Sequence, residues 1–205
     1  MGPNHHSPSD LLQSPELNVW PVDAICSILP RCTSLSALAV VNCPEDVWGS
    51  IGPLLPASVA SIHLGSVRAY MQWDWSAMPC YAALASVTSM ELDSVWSPRM
   101  YKAVATLPGI RTLRRFFPPT LRDTHCAALR RAAAVEHAES MERVEIVGCM
   151  FRSPELAPRW REKCAEASHG AVRPGLFVLR TVDGTIAWEV FFEDWVDHLY
   201  WSSRQ

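Results

Sequence analysis

The sequence predicts an α/β fold: a short, irregular solenoid in which parallel strands alternate with helices, closed by a small α+β C-terminal cap. Three observations predict it. A short apolar pattern recurs along the chain, helix signals fall between its copies, and the pattern stops before a different C-terminal segment. With 205 residues, 49% of them hydrophobic and 19% charged, the chain is long and apolar enough to bury a core.

The N-terminal segment differs from the rest of the chain in composition. Residues 1–15 contain three prolines and few large apolar side chains. Such a segment cannot bury enough apolar surface to offset the entropy of ordering. We therefore expect residues 1–15 to be a disordered arm, followed by a repeat array over residues 16–150 and the cap over residues 151–205.

The first clear copy of the repeat is "SLSALAVVNC", residues 34–43. Its apolar anchors and those at the same offsets in three further copies are Leu35, Leu38, Val40 and Cys43; Val59, Ile62, Leu64 and Val67; Val87, Met90, Leu92 and Val95; and Met141, Val144, Ile146 and Cys149. A weaker copy keeps Ile110 and Leu113 but has Arg115 in place of the third anchor. The period of 23 to 31 residues is near that of leucine-rich repeats, so we predict a short leucine-rich-repeat solenoid.

Within each copy the second and third anchors are two residues apart, as on one face of a strand. We expect these two side chains to point inward and the residue between them to point outward. One copy cannot bury its inner face alone, whereas stacked copies with parallel strands can.

Helix signals lie in the connectors between the copies. One helix is predicted to begin at Pro44 and to end before Pro56. A second has Ser97 as its N-cap and Pro98 at its first helical position, and a third spans about residues 123–138, which are rich in alanine.

The cap is predicted to contain a helix, a strand with a turn at Asp183-Gly184, and a final aromatic helix. That last helix carries an apolar stripe formed by Trp188, Phe191, Phe192, Trp195 and Leu199. A second face carries Glu189, Glu193 and Asp197, which we expect to be solvated, although paired acids can also act in acid–base catalysis. We expect the final helix to cover the exposed end of the array.

These motifs resemble a known family. The units "CTSLSALAVVNC", "LASVTSMELDSV" and "SMERVEIVGC" alternate with helices that end in "SILPRC" and "ATLPGI", and the chain closes with "FEDWVDHL". From about Ala24 to Leu199 the chain resembles the repeat region and acidic-aromatic tail of the fungal group of F-box/leucine-rich-repeat-like proteins.

In that family an N-terminal F-box recruits a ubiquitin ligase and the repeats bind a substrate. Residues before Ile25 are too few and too polar for the three helices of an F-box, so none is expected in this sequence. The resemblance therefore implies a non-catalytic protein-interaction module, the substrate-recognition half of a ubiquitin-ligase adaptor. Ubiquitin-ligase components are expected as partners only if an F-box lies upstream, and a stand-alone scaffold or adaptor is the alternative.

Enzymatic motifs are missing from the sequence. It contains no G-x-S-x-G, no G-x-G-x-x-G and no G-x-x-x-x-G-K-[ST]. His125 and Cys126 could suggest a thiol nucleophile or a metal site with Cys149 and Cys164, but neighbours on a helix point about 100° apart. We expect a buried cysteine beside an exposed histidine, no enzyme and no cofactor; an enzyme using Cys126 or Glu193 is a remote alternative.

Charge and cysteine usage restrict the location and the partners. The net charge of −3 predicts no strong attraction to nucleic acid or to anionic membranes. No apolar run is long enough to span a membrane, and the N-terminus lacks the features of a signal peptide. Seven cysteines without a C-x-x-C pair favour a reducing, intracellular location, cytoplasmic or nuclear.

Two segments are candidate binding surfaces for a protein partner. The first is an arginine cluster with interleaved aromatic residues, and the second is an aromatic connector. Their candidate partner-binding residues are Arg111, Arg114, Arg115, Phe116, Phe117 and Arg122, and Tyr70, Trp73 and Trp75. Arg130 and Arg131 extend the first cluster, which could also fit a phosphorylated ligand or RNA; packing in the core is the other interpretation for the aromatic residues.

Overall fold

The computed structural model describes residues 20–41, 43–65, 74–90, 98–118, 123–135, 138–149, 155–169, 175–182 and 191–197. Its helices are α1 (Val22–Ile28), α2 (Glu45–Ile51), α3 (Pro98–Ala105), α4 (Asp123–Ala134), α5 (Leu156–Ala167) and α6, described over residues 191–197. Its strands are β1 (Ala37–Val41), β2 (Ser61–Gly65), β3 (Ser86–Met90), β4 (Thr112–Phe117), β5 (Arg143–Cys149) and β6 (Phe177–Val182). Short 3-10 turns occur at Leu29–Arg31, Gly52–Leu54 and Trp75–Ala77.

The six strands form one all-parallel sheet in which every strand lies beside the next strand of the chain. Parallel neighbours need a crossover connection, and helices lie in most of these connections. The predicted α/β class, with parallel strands alternating with helices, is confirmed. Sequential strand order is compatible with a solenoid.

Two rows of paired residues run across the sheet on the side of the connecting helices. The first row is Leu38, Ile62, Val87, Leu113 and Val144. The second row is Val40, Leu64, Ser89, Arg115 and Ile146. The predicted second and third anchors of four units therefore align, including the weak unit with Arg115.

The predicted register of the third unit is wrong by three residues. Val87 pairs with Ile62, so it is the second anchor of its unit rather than the first, and the buried Leu84 takes the first position. Ser89 occupies the third anchor position of this unit, although it is polar. The apolar Met90 next to it fits the repeat spacing as an anchor, which led to the wrong register. An odd shift moves every side chain to the other face of a strand, so Met90 lies on the opposite side.

The two faces of the sheet differ in what covers them. Helices α1 to α5 all contribute to one large apolar core with the two rows described above. We call this side of the sheet the inner face and the opposite side the distal face. The distal face has its own small cluster, formed by Met90, Phe116, Val147, Cys149 and Phe191.

The local helix signals agree with the structure at three predicted starts. Helix α2 begins directly after Pro44, and α3 begins at Pro98. Helix α4 begins at Asp123, as predicted, and ends at Ala134, earlier than predicted. Beyond α3, a Cβ atom on Gly109 would lie 2.9 Å from the carbonyl oxygen of Ala82, so the chain passes too closely there for any other residue.

The C-terminal segment does not sit where the sequence suggested. Strand β6 pairs in parallel with β5 and extends the same sheet. Helix α6 contacts His63 of β2 and Phe116 of β4, so it lies on the distal face rather than over the end of the array. The predicted boundary at residue 150 stays a prediction, and the predicted arm over residues 1–15, the Ser97 cap and the Asp183-Gly184 turn lie outside the described residues.

Candidate functional site

The distal face carries the polar and aromatic side chains that alternate with the inner rows. They come from β2 to β5 and include Ser61, His63, Thr88, Arg114, Phe116 and Glu145, with the apolar Met90 and Val147 among them. Side chains alternate between the two faces of a strand. Because the anchor residues point to the inner face, the residues between them lie together on the distal face. This face is the candidate functional site.

Helix α6 presents three side chains to the distal face. Phe191 is 1% exposed and stands edge-on to Phe116, with ring centroids 5.3 Å apart. Trp195 stands edge-on to the buried imidazole of His63 at 4.5 Å. These are favourable aromatic geometries, so α6 is bound through ring contacts at two strands.

Arg114 is the centre of an ionic network between the sheet and α6. Its guanidinium donates from Nε to Glu145 Oε2 at 2.8 Å and from Nη2 to Asp194 Oδ1 at 2.7 Å, while Nη1 donates to Asp194 Oδ2. Arg143 donates to the other oxygen of Glu145 at 3.2 Å, and Arg180 lies 3.6 Å from Asp194. The fork-to-carboxylate pairing with Asp194 is the strong, geometrically specific type of ion pair.

The electrostatics of Arg114 follow from this network. Burial by itself lowers the pKa of its guanidinium, but the hydrogen bonds and charges of Asp194 and Glu145 outweigh burial and raise the pKa. Its side chain is 10% exposed and also lies over the Phe116 ring, with Cζ 5.6 Å from the centroid. Arg114 is therefore a firmly charged group, oriented by residues of the sheet.

The predicted arginine patch is not one surface. Because side chains alternate along β4, Arg115 points to the inner face, where it is fully buried and donates a hydrogen bond to Ser89. Its Cζ lies 5.5 Å from the Tyr101 ring and 5.9 Å from the Phe117 ring, and burial lowers the pKa of Arg115 well below its usual value. The interpretation of Arg115 as a residue of an exposed patch is wrong.

The other predicted binding residues are also scattered. Phe117 lies on the inner face against Trp160, and Phe116 lies on the distal face. Both side chains are fully buried.

The remaining candidates differ in their exposure. Arg111 is 65% exposed and lies 3.4 Å from Glu142. Trp75 is buried in the core, which agrees with the core-packing interpretation of the aromatic connector and not with a docking role. Arg122, Tyr70 and Trp73 lie outside the described residues.

The thiols and the histidine of the enzyme alternative lie on different elements: His125 and Cys126 on α4, Cys149 on β5 and Cys164 on α5. His125 is buried edge-on to Phe117 and Cys126 is half-buried, the reverse of the expected exposures, because the imidazole takes the inward side of α4. Burial raises the pKa of Cys43, Cys149 and Cys164 to about 12. These three thiols are neutral at pH 7 and poor nucleophiles. In the described ranges no group of three His, Cys, Asp or Glu side chains is placed to hold a metal ion.

Of the residues that form the distal site, Arg114 and Phe116 were predicted from the sequence, and His63, Glu145 and Asp194 were not. His63 and Glu145 occupy the outward positions between the anchors of their units, and that position was the available signal. Phe191 and Trp195 of the predicted apolar stripe face the sheet, whereas Phe192 is exposed on the other side of α6. Asp194 gave no signal in the sequence, because its contact depends on where α6 lies. Of the acidic face predicted on this helix, Glu193 and Asp197 are exposed and Glu189 is outside the described residues.

None of the helices in the described part of the chain has the length and apolar character needed to cross a membrane. No protein-family model, curated protein or solved structure matches this chain.

Proposed function

We propose that the chain is a non-catalytic protein-interaction module, built on a short leucine-rich-repeat solenoid, whose distal face binds a protein partner. The observation that carries the proposal is the composition of that face. Parallel sheets are usually covered by helices on both sides. Here α1 to α5 pack on the inner face, while among the described residues the distal face has α6 over a charged network and aromatic side chains.

The repeat geometry supports this assignment. Consecutive strands are neighbours, and each unit contributes the same two positions to the inner core. In such an array the inward anchors build the scaffold, and the outward residues between them are free to specialise. A buried ion pair such as that of Arg114 and Glu145 is often no more stabilising than apolar residues of similar size, so its place at mid-strand favours recognition.

The resemblance to F-box/leucine-rich-repeat-like proteins suggests the cellular context. In that context the module would be the substrate-recognition half of a ubiquitin-ligase adaptor. A stand-alone scaffold would use the same face without ligase subunits.

A matched pair of charge reversals tests the proposal. Arg143 is half-exposed on the distal face, whereas Arg130 is exposed on α4, on the other side of the sheet. Tagged wild-type, Arg143→Glu and Arg130→Glu chains would be used to purify partners from cell lysate, with circular dichroism to verify that all three fold. A distal-face partner is recovered by wild type and Arg130→Glu and is lost by Arg143→Glu.

The identity of the recovered proteins separates the two contexts. Cullin-ligase subunits bound along with the partner support the ubiquitin context, and a partner without them supports the scaffold. If both variants recover every protein equally well, the distal face is not the binding surface and the proposal is contradicted.

A further inference from the structure

Helix α6 divides cleanly into an inward and an outward side. Phe191, Asp194 and Trp195 face the sheet, at the i, i+3 and i+4 positions of one helix face. Phe192 and Val196 are 57% and 48% exposed on the other side. The inward triplet has the spacing by which an amphipathic helix is recognised in a groove.

The three sites that receive this triplet are organised by the sheet itself. Arg114 is held by Glu145 at 2.8 Å and lies over the Phe116 ring, so its fork keeps its direction toward a carboxylate. His63 Nε2 lies 3.2 Å from Ser61 Oγ, within hydrogen-bond distance. None of these contacts comes from α6, and groups oriented in advance bind at lower entropic cost.

The occupant is held on the sheet through the inward triplet. Its outward side chains Phe192 and Val196 are exposed, so they add little apolar burial to its hold. Its advantage over another ligand is its attachment to the chain, which gives a tethered segment an effective concentration on the order of millimolar.

We infer that the distal face recognises a helical peptide with an aromatic residue, an acidic residue three positions later and a second aromatic residue directly after it. Helix α6 is the cis occupant of these sites, and a partner must displace it. This inference rests on the proposed function and adds the chemistry of the partner to it. The carboxylate binds the fork of Arg114, and the aromatic residues bind against Phe116 and His63.

A peptide titration with full-length protein tests the inference. The probe is a fluorescein-labelled peptide WEVFFEDWVDHL, the sequence of residues 188–199, followed by fluorescence anisotropy. The Phe191→Ala/Trp195→Ala chain should bind it about tenfold or more tightly than wild type, because the cis competitor is weakened. The matched control Phe192→Ala/Val196→Ala alters only the outward side of α6 and should bind like wild type.

The acidic contact is tested in the same format. Adding Arg114→Gln to the Phe191→Ala/Trp195→Ala chain should reduce peptide affinity about tenfold or more, as expected for loss of a charge-assisted pair. A peptide with Asn in place of the residue equivalent to Asp194 should lose a similar factor. If the Phe191→Ala/Trp195→Ala chain fails to fold, Asp194→Asn in the full chain is the milder replacement. This variant should also bind the original peptide more tightly than wild type does.

Several outcomes would overturn the inference. Equal affinity of the folded inward and outward variants would show that α6 does not compete for the peptide site. Sedimentation showing a wild-type dimer that the inward variant abolishes would assign α6 to the face of a second copy. The titration needs no cellular partner, so the two proposals can fail separately. If the peptide binds but no distal-face partner is recovered from lysate, the proposed function is contradicted. If a distal-face partner is recovered but the peptide does not bind, this inference is contradicted.

Discussion

Arg114 and Arg115 are neighbours in β4, yet they lie on opposite faces of the sheet in opposite surroundings. On the distal face two carboxylates pair with Arg114 and raise the pKa of its guanidinium despite burial. On the inner face Arg115 meets a hydroxyl and aromatic rings, and burial lowers its pKa. Two neighbouring arginines of one strand therefore have their pKa values moved in opposite directions by the two faces of the sheet.

The largest expected effect is a contrast between two identical substitutions. Arg114→Met leaves Glu145 and Asp194 buried without their central cation and should lower the free energy of unfolding by about 3–5 kcal/mol. Arg115→Met removes a cation whose burial lowers its pKa, and its described contacts are a hydroxyl and two aromatic rings, so it should cost about 2 kcal/mol less than Arg114→Met. Urea denaturation of both variants measures the difference. Equal losses would contradict the contrast between the two faces.

The inner rows should be nearly as sensitive to truncation. Leu113 is fully buried between Val87 and Val144, so Leu113→Ala should cost about 2–5 kcal/mol. Lys102→Ala on the exposed side of α3 is the control and should change stability by less than about 0.5 kcal/mol. A loss from Leu113→Ala as small as that of the control would place Leu113 outside the core.

A moderate effect is expected from the thiols at alkaline pH. Folding raises the pKa of Cys149 from 9.0 to about 12, so between these values the folded chain binds more protons than the unfolded chain. Stability is therefore full below pH 9 and falls as the pH rises above it, by about 1.4 kcal/mol per pH unit for each such thiol. In urea denaturation at pH 8 and pH 10, Cys149→Ala should lose about 1.4 kcal/mol less than wild type. The same loss in both chains would mean that Cys149 ionises as readily folded as unfolded.

The smallest effect should come from the exposed ion pair. Arg111 and Glu142 are each 65% exposed, so solvent screens their attraction. Arg111→Gln should change the free energy of unfolding by less than about 0.5 kcal/mol, against the several kcal/mol expected at Arg114 three residues later. Thermal or urea denaturation in low and high salt would measure it, and a loss above about 2 kcal/mol would mean that exposure does not separate the two pairs.

The scaffold was more predictable than the site. Four repeat units were aligned from apolar spacing alone, because inward anchors must recur at the same positions when strands stack. The third unit was misaligned because Ser89 occupies an anchor and Met90 imitates one. Strand pairing identifies Ser89 as the third anchor of that unit, because it lies between Leu64 and Arg115 in the sheet.

By itself, the sequence determined the α/β class, the parallel order of strands and helices, and the helix starts near Pro44, Pro98 and Asp123. These follow from periodicity and capping, which act over a few residues. Only the tertiary structure decided that α6 covers the distal face and that Asp194 binds Arg114, 80 residues away in the chain. Such a contact depends on the path of everything between its partners, and no local pattern encodes that path.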